Sequence, residues 1–344
     1  MKEENLQQII QPLLEWYNTH KRNLPWRKNK NPYEIWISEI MLQQTRIEAV
    51  KSYYARFMQE LPTIHDLANI EEEKLLKLWE GLGYYNRAKN LQKAAKLIEE
   101  KYEGKIPNTY QELITLPGIG EYTAGAIASI SFNEKVPAVD GNVLRVISRV
   151  LGMKQDILLP DTKKEITKLL TKYMPNQAGD FNEALMELGE LICIPNGEPN
   201  CLKCPLKQFC IAYQNNLTNE IPVRVKKVKR KIEEKTVLLL MDPFEKIAIQ
   251  KRTKKGVLSG MYELPNIEGK LSKREVRQFL QKEKCKVQEI KFLGEFKHIF
   301  THIEWQMYGY QVNIKECNLP YLWVSKKELE EKYALPTAFK QFLK

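Results

Sequence analysis

The sequence of 344 residues lacks any long apolar run: none approaches the roughly 20 residues that a membrane-spanning helix requires. Its N-terminal stretch, MKEENLQQII, has no apolar segment of the kind found in secretory signal peptides. No internal repeat is long enough to indicate a solenoid. We therefore expect a cytoplasmic protein, associated with the nucleoid if its partner is DNA, and we expect no membrane partner.

Cysteine is scarce, and paired disulfides are unusual in a reducing compartment. Four of the six cysteines crowd into one stretch and two stand alone: Cys193, Cys201, Cys204 and Cys210, then Cys285 and Cys317. The crowding indicates a metal site. A second closely spaced pair, which zinc sites more often have, is missing, so the spacing favours a [4Fe–4S] cluster over zinc. Free or disulfide-bonded cysteines are the third interpretation.

Basic residues outnumber acidic ones, 54 to 43, and the net charge is +11. This excess favours a polyanionic partner, nucleic acid first and an acidic membrane surface second, although surplus lysine can also serve only solvation. The length suggests two or three domains. Residues 1 to about 216 read as helices, including one predicted to run unbroken from Pro32 to Met58. Residues 217–235 form a basic linker, either solvated or lying on an acidic surface, and residues 236–344 alternate as an α+β domain.

The stretch Leu113–Arg149 predicts two helices around the turn Pro117–Gly120 and a third helix that opens at Asp140. Gly118 and Gly120 let the backbone turn tightly and approach a partner closely. The helix after the turn points its unpaired N–H groups outwards, where a phosphate can bind. This arrangement resembles a helix-hairpin-helix, which grips a DNA backbone without reading its sequence, but an ordinary helical hairpin fits as well.

Two carboxylates carry candidate chemistry. Glu39 has mostly apolar neighbours on its helix, so burial would raise its pKa and let it hold a proton at neutral pH. Alternatively, Glu39 lies at the edge of that face, paired with Arg46. Asp140 stands at a helix start that favours its charged form, although an aspartate there is also a good N-cap. One protonated and one ionised carboxyl group can cleave a glycosidic bond, but the sequence does not show that the two meet.

Several motifs together resemble one family closely: SEIMLQQT, GLGYYNRA, LPGIGEYTAGA, VPAVDGNVLRV, FNEALMELG and the four crowded cysteines. They are similar to the MutY family of adenine DNA glycosylases, in the helix-hairpin-helix superfamily. The resemblance implies a multidomain fold, an all-α glycosylase core with a [4Fe–4S] module plus a C-terminal α+β Nudix-like domain. It divides the chain into a six-helix barrel module at about 28–135, an iron–sulfur module at about 1–27 and 136–216, a linker at 217–235 and a Nudix-like 8-oxoguanine recognition domain at 236–344.

The resemblance also implies a reaction. A monomer would bind double-stranded DNA that carries adenine opposite 8-oxoguanine or guanine, and would flip the adenine into a pocket. Glu39 would protonate adenine N7, and Asp140 would stabilise the oxocarbenium-like sugar. Tyr122 and Asn142 would support the sugar and the carboxylate by hydrogen bonding.

Further residues match the family's binding positions. Those around the adenine are Trp26, Arg27 and Glu183. Those expected to wedge into the base stack and contact the orphaned 8-oxoguanine are Gln44, Thr45, Leu82 and Tyr84. The family's Phe-Ser-His recognition loop has as its counterpart Phe300, Thr301 and His302.

The sequence departs from related patterns at several points. Endonuclease III carries a lysine nucleophile where this chain has Tyr122, which cannot form a Schiff base. Gln278 and Phe279 replace the glutamates of a Nudix hydrolase, so we expect no nucleotide hydrolysis. Thr301 adds a methyl group to the recognition loop, and the first cysteine gap has seven residues where the family usually has six. Two other hypotheses stay open: a bifunctional glycosylase–lyase for oxidised pyrimidines, and a non-catalytic lesion sensor.

Overall fold

A computed structural model describes residues 4–225, 230–253 and 256–343. The chain divides into two compact units, Met1–Asn69 with Asn90–Lys226, and Ile70–Lys89 with Lys227–Lys344. The middle of the basic linker, residues 226–229, and the first three residues of the chain lie outside the described residues. The domain boundaries expected from the sequence stay predictions. Within the described ranges, no helix is both long enough and apolar enough to cross a bilayer.

The helices of the N-terminal part are α1 (Glu4–Gln8), α2 (Ile10–His20), α3 (Pro32–Leu42), α4 (Ile47–Glu60), α5 (Ile64–Asn69), α6 (Glu72–Leu78), α7 (Asn86–Tyr102), α8 (Tyr110–Leu113), α9 (Glu121–Phe132), α10 (Gly141–Leu151), α11 (Pro160–Lys172), α12 (Ala178–Leu191) and α13 (Ile211–Gln214). The prediction of one unbroken helix from Pro32 to Met58 is wrong. The backbone of Gln44 is left-handed, with φ of 57°, and this conformation separates α3 from α4.

The first unit is organised around helices that are apolar on nearly every face. Helix α3 is buried along almost its whole length, as expected for a helix without a polar side. Helix α9, rich in alanine and glycine, packs against α3 and α12. Its close approach to α12 depends on Gly179, where an added Cβ would lie 2.7 Å from the Ser129 carbonyl oxygen. A further apolar cluster joins α2, α10, α11 and α12.

The predicted turn before α9 is present. Gly118 has φ of +78°, and a Cβ there would lie 2.6 Å from the Asn90 Cβ. Gly120 differs from the expectation, because it is the N-cap of α9 with φ of −95°, a conformation open to other residues. No atom lies within 4 Å of a Cβ built on Gly120, so the backbone there is open to a partner. Asp140 caps α10 as predicted, with the Val143 N–H donating to its Oδ1 at 2.8 Å.

The C-terminal part contains the strands β1 (Lys231–Met241), β2 (Ile247–Lys251), β3 (Tyr262–Glu263), β4 (Asn266–Glu268), β5 (Lys286–Ile299), β6 (Ile303–Glu316) and β7 (Leu322–Val324), with the helices α14 (Lys273–Lys282), α15 (Lys326–Glu331) and α16 (Thr337–Lys340). The sheet order is β3-β2-β1-β6-β5, with β4 beside β1 and β7 beside β2. Strand β1 runs parallel to β6, and β5 is antiparallel to β6. Strand β1 begins within the stretch that the sequence predicts as linker.

Both faces of this sheet are covered. Successive residues of β1 alternate between two apolar clusters, Val237 and Leu239 on one face, Leu238 and Leu240 on the other. Helix α14 covers the second face, and Phe279 packs against it as an apolar side chain. The expectation that disulfides would be unusual does not hold for Cys285 and Cys317, which form a disulfide beside the paired ends of β5 and β6. The strands bring together two residues that lie 32 positions apart in the sequence.

The Gly118→Ala variant should lower the free energy of unfolding by about 1–3 kcal/mol, because alanine must adopt a left-handed conformation and displace Asn90. Urea unfolding followed by circular dichroism measures the loss. Gly120→Ala is the matched control, with an expected change below about 1 kcal/mol, since its backbone is extended and its surroundings are open. Equal losses in the two variants would contradict the assigned backbone conformations.

Candidate active site

A cavity of about 400 Å³ lies in the first unit and brings together nine of the predicted site residues. Its lining includes residues from the short helix Pro25–Arg27, from α3 and the turn that follows it, and from α9, α10 and α12. The predicted residues found there are Trp26, Arg27, Glu39, Gln44, Thr45, Tyr122, Asp140, Asn142 and Glu183. Glu39 and Asp140, which the sequence could not place together, therefore line the same cavity.

Glu39 is a buried carboxyl group, 6% exposed, on the buried helix α3. Burial raises its pKa from 4.5 to about 7, the nearby Glu183 and Asp140 carboxyl groups act in the same direction, and a hydrogen bond from Tyr122 opposes them. The Tyr122 hydroxyl donates to Glu39 Oε2 at 2.6 Å. At neutral pH, Glu39 can therefore hold or release a proton, as a general acid must.

Tyr122 is fixed between α3 and α12. Its hydroxyl lies 3.1 Å from Met186 Sδ in addition to its bond with Glu39. Burial is the main influence that raises the pKa of Tyr122, and the Glu39 carboxyl group adds to it. The hydroxyl consequently stays protonated and acts as a donor, which orients the Glu39 carboxyl group.

Asp140 is held by two hydrogen bonds at the start of α10. Its Oδ1 accepts from the Val143 N–H at 2.8 Å, and its Oδ2 accepts from Asn142 Nδ2 at 2.8 Å. These bonds favour the charged form, as we expected for a helix start. Burial outweighs them, however, and the net effect raises the pKa of Asp140. The helix start thus acts in the expected direction, whereas burial sets the net direction of the shift.

An ion-pair network forms another part of the cavity lining. Arg27 Nε lies 2.8 Å from Glu183 Oε1, and Arg27 Nη1 lies 3.0 Å from Glu187 Oε2. Glu187 has no exposed side-chain surface and also pairs with Arg22, whose Nε lies 2.8 Å from Glu187 Oε1. A further ion pair joins Arg22 Nη2 to Glu190 Oε2 at 2.7 Å. Such buried, hydrogen-bonded charges hold the arginines in one geometry.

Sequence reasoning missed Arg22, Glu187 and Glu190. One signal was available: Glu183, Glu187 and Glu190 follow one another at intervals of four and three residues, which places them on one face of α12. Acidic residues repeated along a largely apolar helix indicate basic partners or a polar cavity. The partner Arg22 has no comparable signal, because it lies outside the helices and 165 residues away from Glu187.

The four crowded cysteines influence one another. Burial is the largest of the influences that raise the pKa of Cys204 to about 12, and Cys193, Cys210 and Cys201 add to it. Arg149 Nη1 lies 3.2 Å from Cys193 Sγ, where a cation favours a thiolate. In the ranges that the structure covers, no three His, Cys, Asp or Glu side chains have an arrangement that could hold a single metal ion. The donor set, four soft sulfur atoms in one neighbourhood, fits an iron–sulfur cluster.

Two parts of the chain match models of known protein families. A model of the HhH-GPD superfamily of base excision DNA repair proteins matches residues 37–176, and a NUDIX domain model matches residues 236–344. The solved structure of a thermostable thymine-DNA glycosylase has a TM-score of 0.56 at 29% identity, over 62% of this chain and 98% of that one.

Two named relatives are similar over most of the sequence. The adenine DNA glycosylase of Buchnera aphidicola subsp. Baizongia pistaciae is 38% identical over 303 residues, 86% of this chain and 83% of that protein. The chain belongs to the adenine DNA glycosylase family. The Arabidopsis thaliana adenine DNA glycosylase is 36% identical over 361 residues, 89% of this chain, and the match spans 57% of that protein's length. The predicted family and fold class are confirmed.

The five remaining residues that the sequence predicts to contact bases lie in the second unit. Tyr84 is 50% exposed, and its hydroxyl lies 3.1 Å from Thr301 Oγ1, so two predicted positions far apart in sequence are in contact. Phe300 packs edge-on against Trp305, with ring centroids 4.8 Å apart, while Thr301 and His302 are accessible. Leu82, by contrast, is only 7% exposed, and its insertion into a base stack stays a prediction that requires the side chain to move.

The Glu39→Gln variant should become more stable relative to the wild type as the pH rises. The pKa of Glu39 is higher in the folded protein, so the stability it contributes is complete below about pH 4.5 and is lost as the pH rises through about 7. Glutamine does not titrate, and the difference in unfolding free energy should shift by about 2–3 kcal/mol across this interval. Urea unfolding at a series of pH values measures it.

The exposed Glu48, replaced by glutamine, is the matched control for this series. Its difference from the wild type should stay nearly constant with pH, because an exposed carboxyl group contributes little. A Glu39→Gln difference that is also constant with pH would contradict the raised pKa of Glu39.

Proposed function

We propose that this protein is a monofunctional DNA glycosylase that flips adenine paired with 8-oxoguanine or guanine and hydrolyses its N-glycosidic bond in base excision repair. The observation that carries the proposal is the shared cavity of Glu39 and Asp140, one carboxyl group with a pKa near 7 beside a second that is fixed by hydrogen bonds. A cavity of about 400 Å³ is large enough to enclose a purine base.

The geometry of Glu39 supports a specific proton donor. Because Tyr122 donates to Oε2, the acidic proton resides on Oε1, the oxygen left free to give it to adenine N7. Protonation makes adenine a neutral leaving group, and the electron pair of the C1′–N9 bond departs with it. Asp140 stabilises the positive charge on the sugar, and water then attacks C1′ and loses a proton to Glu39.

The surrounding residues supply recognition. Arg27 and Glu183 can hydrogen-bond the edge of the base, since their ion pair already lies in the cavity lining. Trp26 is a buried wall, held edge-to-face against Tyr54 with ring centroids 5.3 Å apart. Asn142 orients the Asp140 carboxyl group, while Gln44 and Thr45 are available at the cavity for contacts with the distorted duplex.

The duplex would be held by the helix-hairpin-helix and by the second unit. The turn at Gly118 and the open backbone at Gly120 suit a phosphate of one strand, and the net charge of +11 favours the polyanion. Tyr84 and the loop Phe300, Thr301 and His302 would contact the base opposite adenine. A monomeric state and a cytoplasmic location beside the chromosome remain predictions from the sequence.

Strand cleavage by a Schiff-base mechanism does not fit the site. The residue in the position of the endonuclease III nucleophile is Tyr122, and its hydroxyl is engaged by Glu39. The carboxyl pair also favours an enzyme over a passive lesion sensor, because binding alone has no need of a buried acid.

Replacing the acid tests this function. Glu39→Gln should lower single-turnover release of adenine by about 10²–10⁴-fold on duplexes with adenine opposite 8-oxoguanine or guanine. Asp140→Asn should also lose most turnover while it keeps DNA binding and the helix cap, because asparagine caps as well as aspartate. Glu48→Gln, exposed on α4, is the control expected to retain wild-type release.

Unchanged base release by Glu39→Gln would contradict the acid role. Adenine release from duplexes with adenine opposite thymine, at the rate found opposite 8-oxoguanine or guanine, would contradict the proposed substrate. Robust trapping of the protein on DNA by borohydride would favour the glycosylase–lyase alternative, and a wild-type protein that binds but releases no base would favour the lesion sensor.

We also propose that Cys193, Cys201, Cys204 and Cys210 hold a [4Fe–4S] cluster, which when bound would cross-link the C-terminal end of the helical domain. The family relationship and the four neighbouring sulfur atoms support this assignment. The first cysteine gap contains a turn at Gly197, whose φ is +80°, and we expect this turn to absorb the extra residue.

Purified wild-type protein should carry iron and acid-labile sulfide in equal amounts, with the visible absorption of an iron–sulfur cluster. Cys204→Ser should lose the absorption band and melt at a lower temperature, because metal-ligand bonds contribute directly to folding. Cys285→Ser is the matched control and should keep the band. A stoichiometric zinc content without sulfide would contradict the cluster.

A further inference from the structure

A mostly buried carboxylate lies immediately before the segment that carries Tyr84. Glu80 follows α6, and its side chain is 12% exposed. Its Oε1 accepts the Leu335 N–H at 2.8 Å and lies 3.1 Å from Lys340 Nζ, while its Oε2 lies 2.8 Å from Lys77 Nζ. All four residues belong to the second unit. Three donors from two distant parts of the sequence thus converge on one carboxylate.

Lys77 makes a second hydrogen bond to the C-terminal main chain. Its Nζ donates to the Tyr333 carbonyl oxygen at 3.1 Å, in addition to its bond with Glu80. The Lys77–Glu80 pair therefore binds the main chain at two points: Lys77 donates to the Tyr333 carbonyl oxygen, and Glu80 accepts from the Leu335 N–H. Because both bonds are made to the main chain, they fix its position regardless of the side chains there.

The backbone that Glu80 holds belongs to the same apolar cluster as the predicted lesion loop. Leu335 is 1% exposed in the core of the second unit, and Phe300 packs against that cluster. Thr301 follows Phe300 directly, at a tight turn closed by the Phe300 N–H bond to the Ile303 carbonyl oxygen at 2.8 Å. A displacement of Leu335 would consequently be transmitted through close packing towards this loop.

On its other side, Glu80 adjoins an unusual stretch of backbone. Gly81, Gly83 and Tyr84 all have positive φ, of 102°, 71° and 48°. A positive φ is sterically unfavourable for Tyr84 but not for glycine, so contacts with surrounding residues must stabilise this conformation of Tyr84. The Tyr84 hydroxyl then meets Thr301 Oγ1 at 3.1 Å. The turn and the loop are therefore joined directly at the surface and again through Glu80 and Leu335.

Three further contacts join the segment 70–89 to the C-terminal part near the two ends of the segment. Glu73 lies 3.1 Å from Lys251 Nζ and accepts from the Tyr262 hydroxyl at 3.0 Å, both in exposed positions. Lys89 donates to the Ser259 carbonyl oxygen at 3.3 Å. Exposed pairs contribute little, whereas a carboxylate with three donors and little exposure holds a defined geometry.

We propose that Glu80 is a positioning residue that sets the turn at residues 81–84 against the loop at residues 300–302, and thereby determines how strongly the enzyme prefers adenine opposite 8-oxoguanine over adenine opposite guanine. This rests on the proposed function. Glu80 takes no part in the chemistry, which belongs to the cavity of the first unit.

The test compares single-turnover adenine release on two duplexes that differ only in the base opposite adenine. Glu80→Gln should lower the preference for 8-oxoguanine by about tenfold, the effect of losing hydrogen bonds to a charged group, while release opposite guanine stays unchanged. Lys340→Met removes one donor and should lower the preference by less. Glu71→Gln is the matched control and should keep the wild-type preference, because Glu71 is an exposed residue just before α6 whose Oε2 lies 3.3 Å from Lys74 Nζ.

Each outcome decides the proposal. An unchanged preference in a folded Glu80→Gln protein overturns it, and so does an equal loss on both duplexes, which indicates a merely structural role. If Glu80→Gln does not fold, Lys340→Met decides, because Glu80 keeps Lys77 and Leu335 there; a wild-type preference then overturns the proposal. Wild-type protein that releases no adenine from either duplex overturns the proposed function and this inference with it.

Discussion

The burial of the Glu39 carboxyl group is the constraint on which the site depends. A carboxyl group in an apolar environment must keep a proton or find a donor, and Glu39 does both through its raised pKa and the Tyr122 hydroxyl. This requires α3 to be surrounded by other helices and α9 to approach it closely. The small side chains of α9 permit that approach, so the packing of the helices and the acidity of Glu39 have the same origin.

Asp140 shows how a structural role can serve a chemical one. As the N-cap of α10 it accepts from Val143, and Asn142 binds its second oxygen, so both oxygens are fixed before any substrate arrives. Arg145 continues this order by donating to Asn142 Oδ1 at 2.8 Å. A carboxylate that is already oriented needs no reorganisation when positive charge develops on a sugar. Capping and charge stabilisation therefore use the same bonds, and these bonds oppose the effect of burial on the pKa of Asp140.

Local signals in the sequence were sufficient for the features that local interactions determine. The N-cap at Asp140, the turn at Gly118 and the apolar surroundings of Glu39 all follow from residues within one helical turn. Features that tertiary contacts determine were not accessible in this way. The break at Gln44 has no glycine or proline to announce it, and the disulfide of Cys285 with Cys317 depends on the pairing of β5 with β6. The pairing of Arg22 with Glu187 likewise depends on the fold.

The division of the chain separates two tasks that any such enzyme must perform. The residues of the carboxyl pair belong to the first unit, whereas Tyr84 and Thr301 belong to the second, although Tyr84 lies within the helical half of the sequence. Contacts rather than sequence position thus assign the segment Ile70–Lys89 to the domain that would recognise the lesion. Substitutions at residues that share no contacts usually have additive effects, so we expect the rate of bond cleavage and the choice of opposing base to respond to different substitutions. By our proposal, discrimination would depend on the geometry within the second unit, whereas the acidity of Glu39 depends on the packing of the first unit.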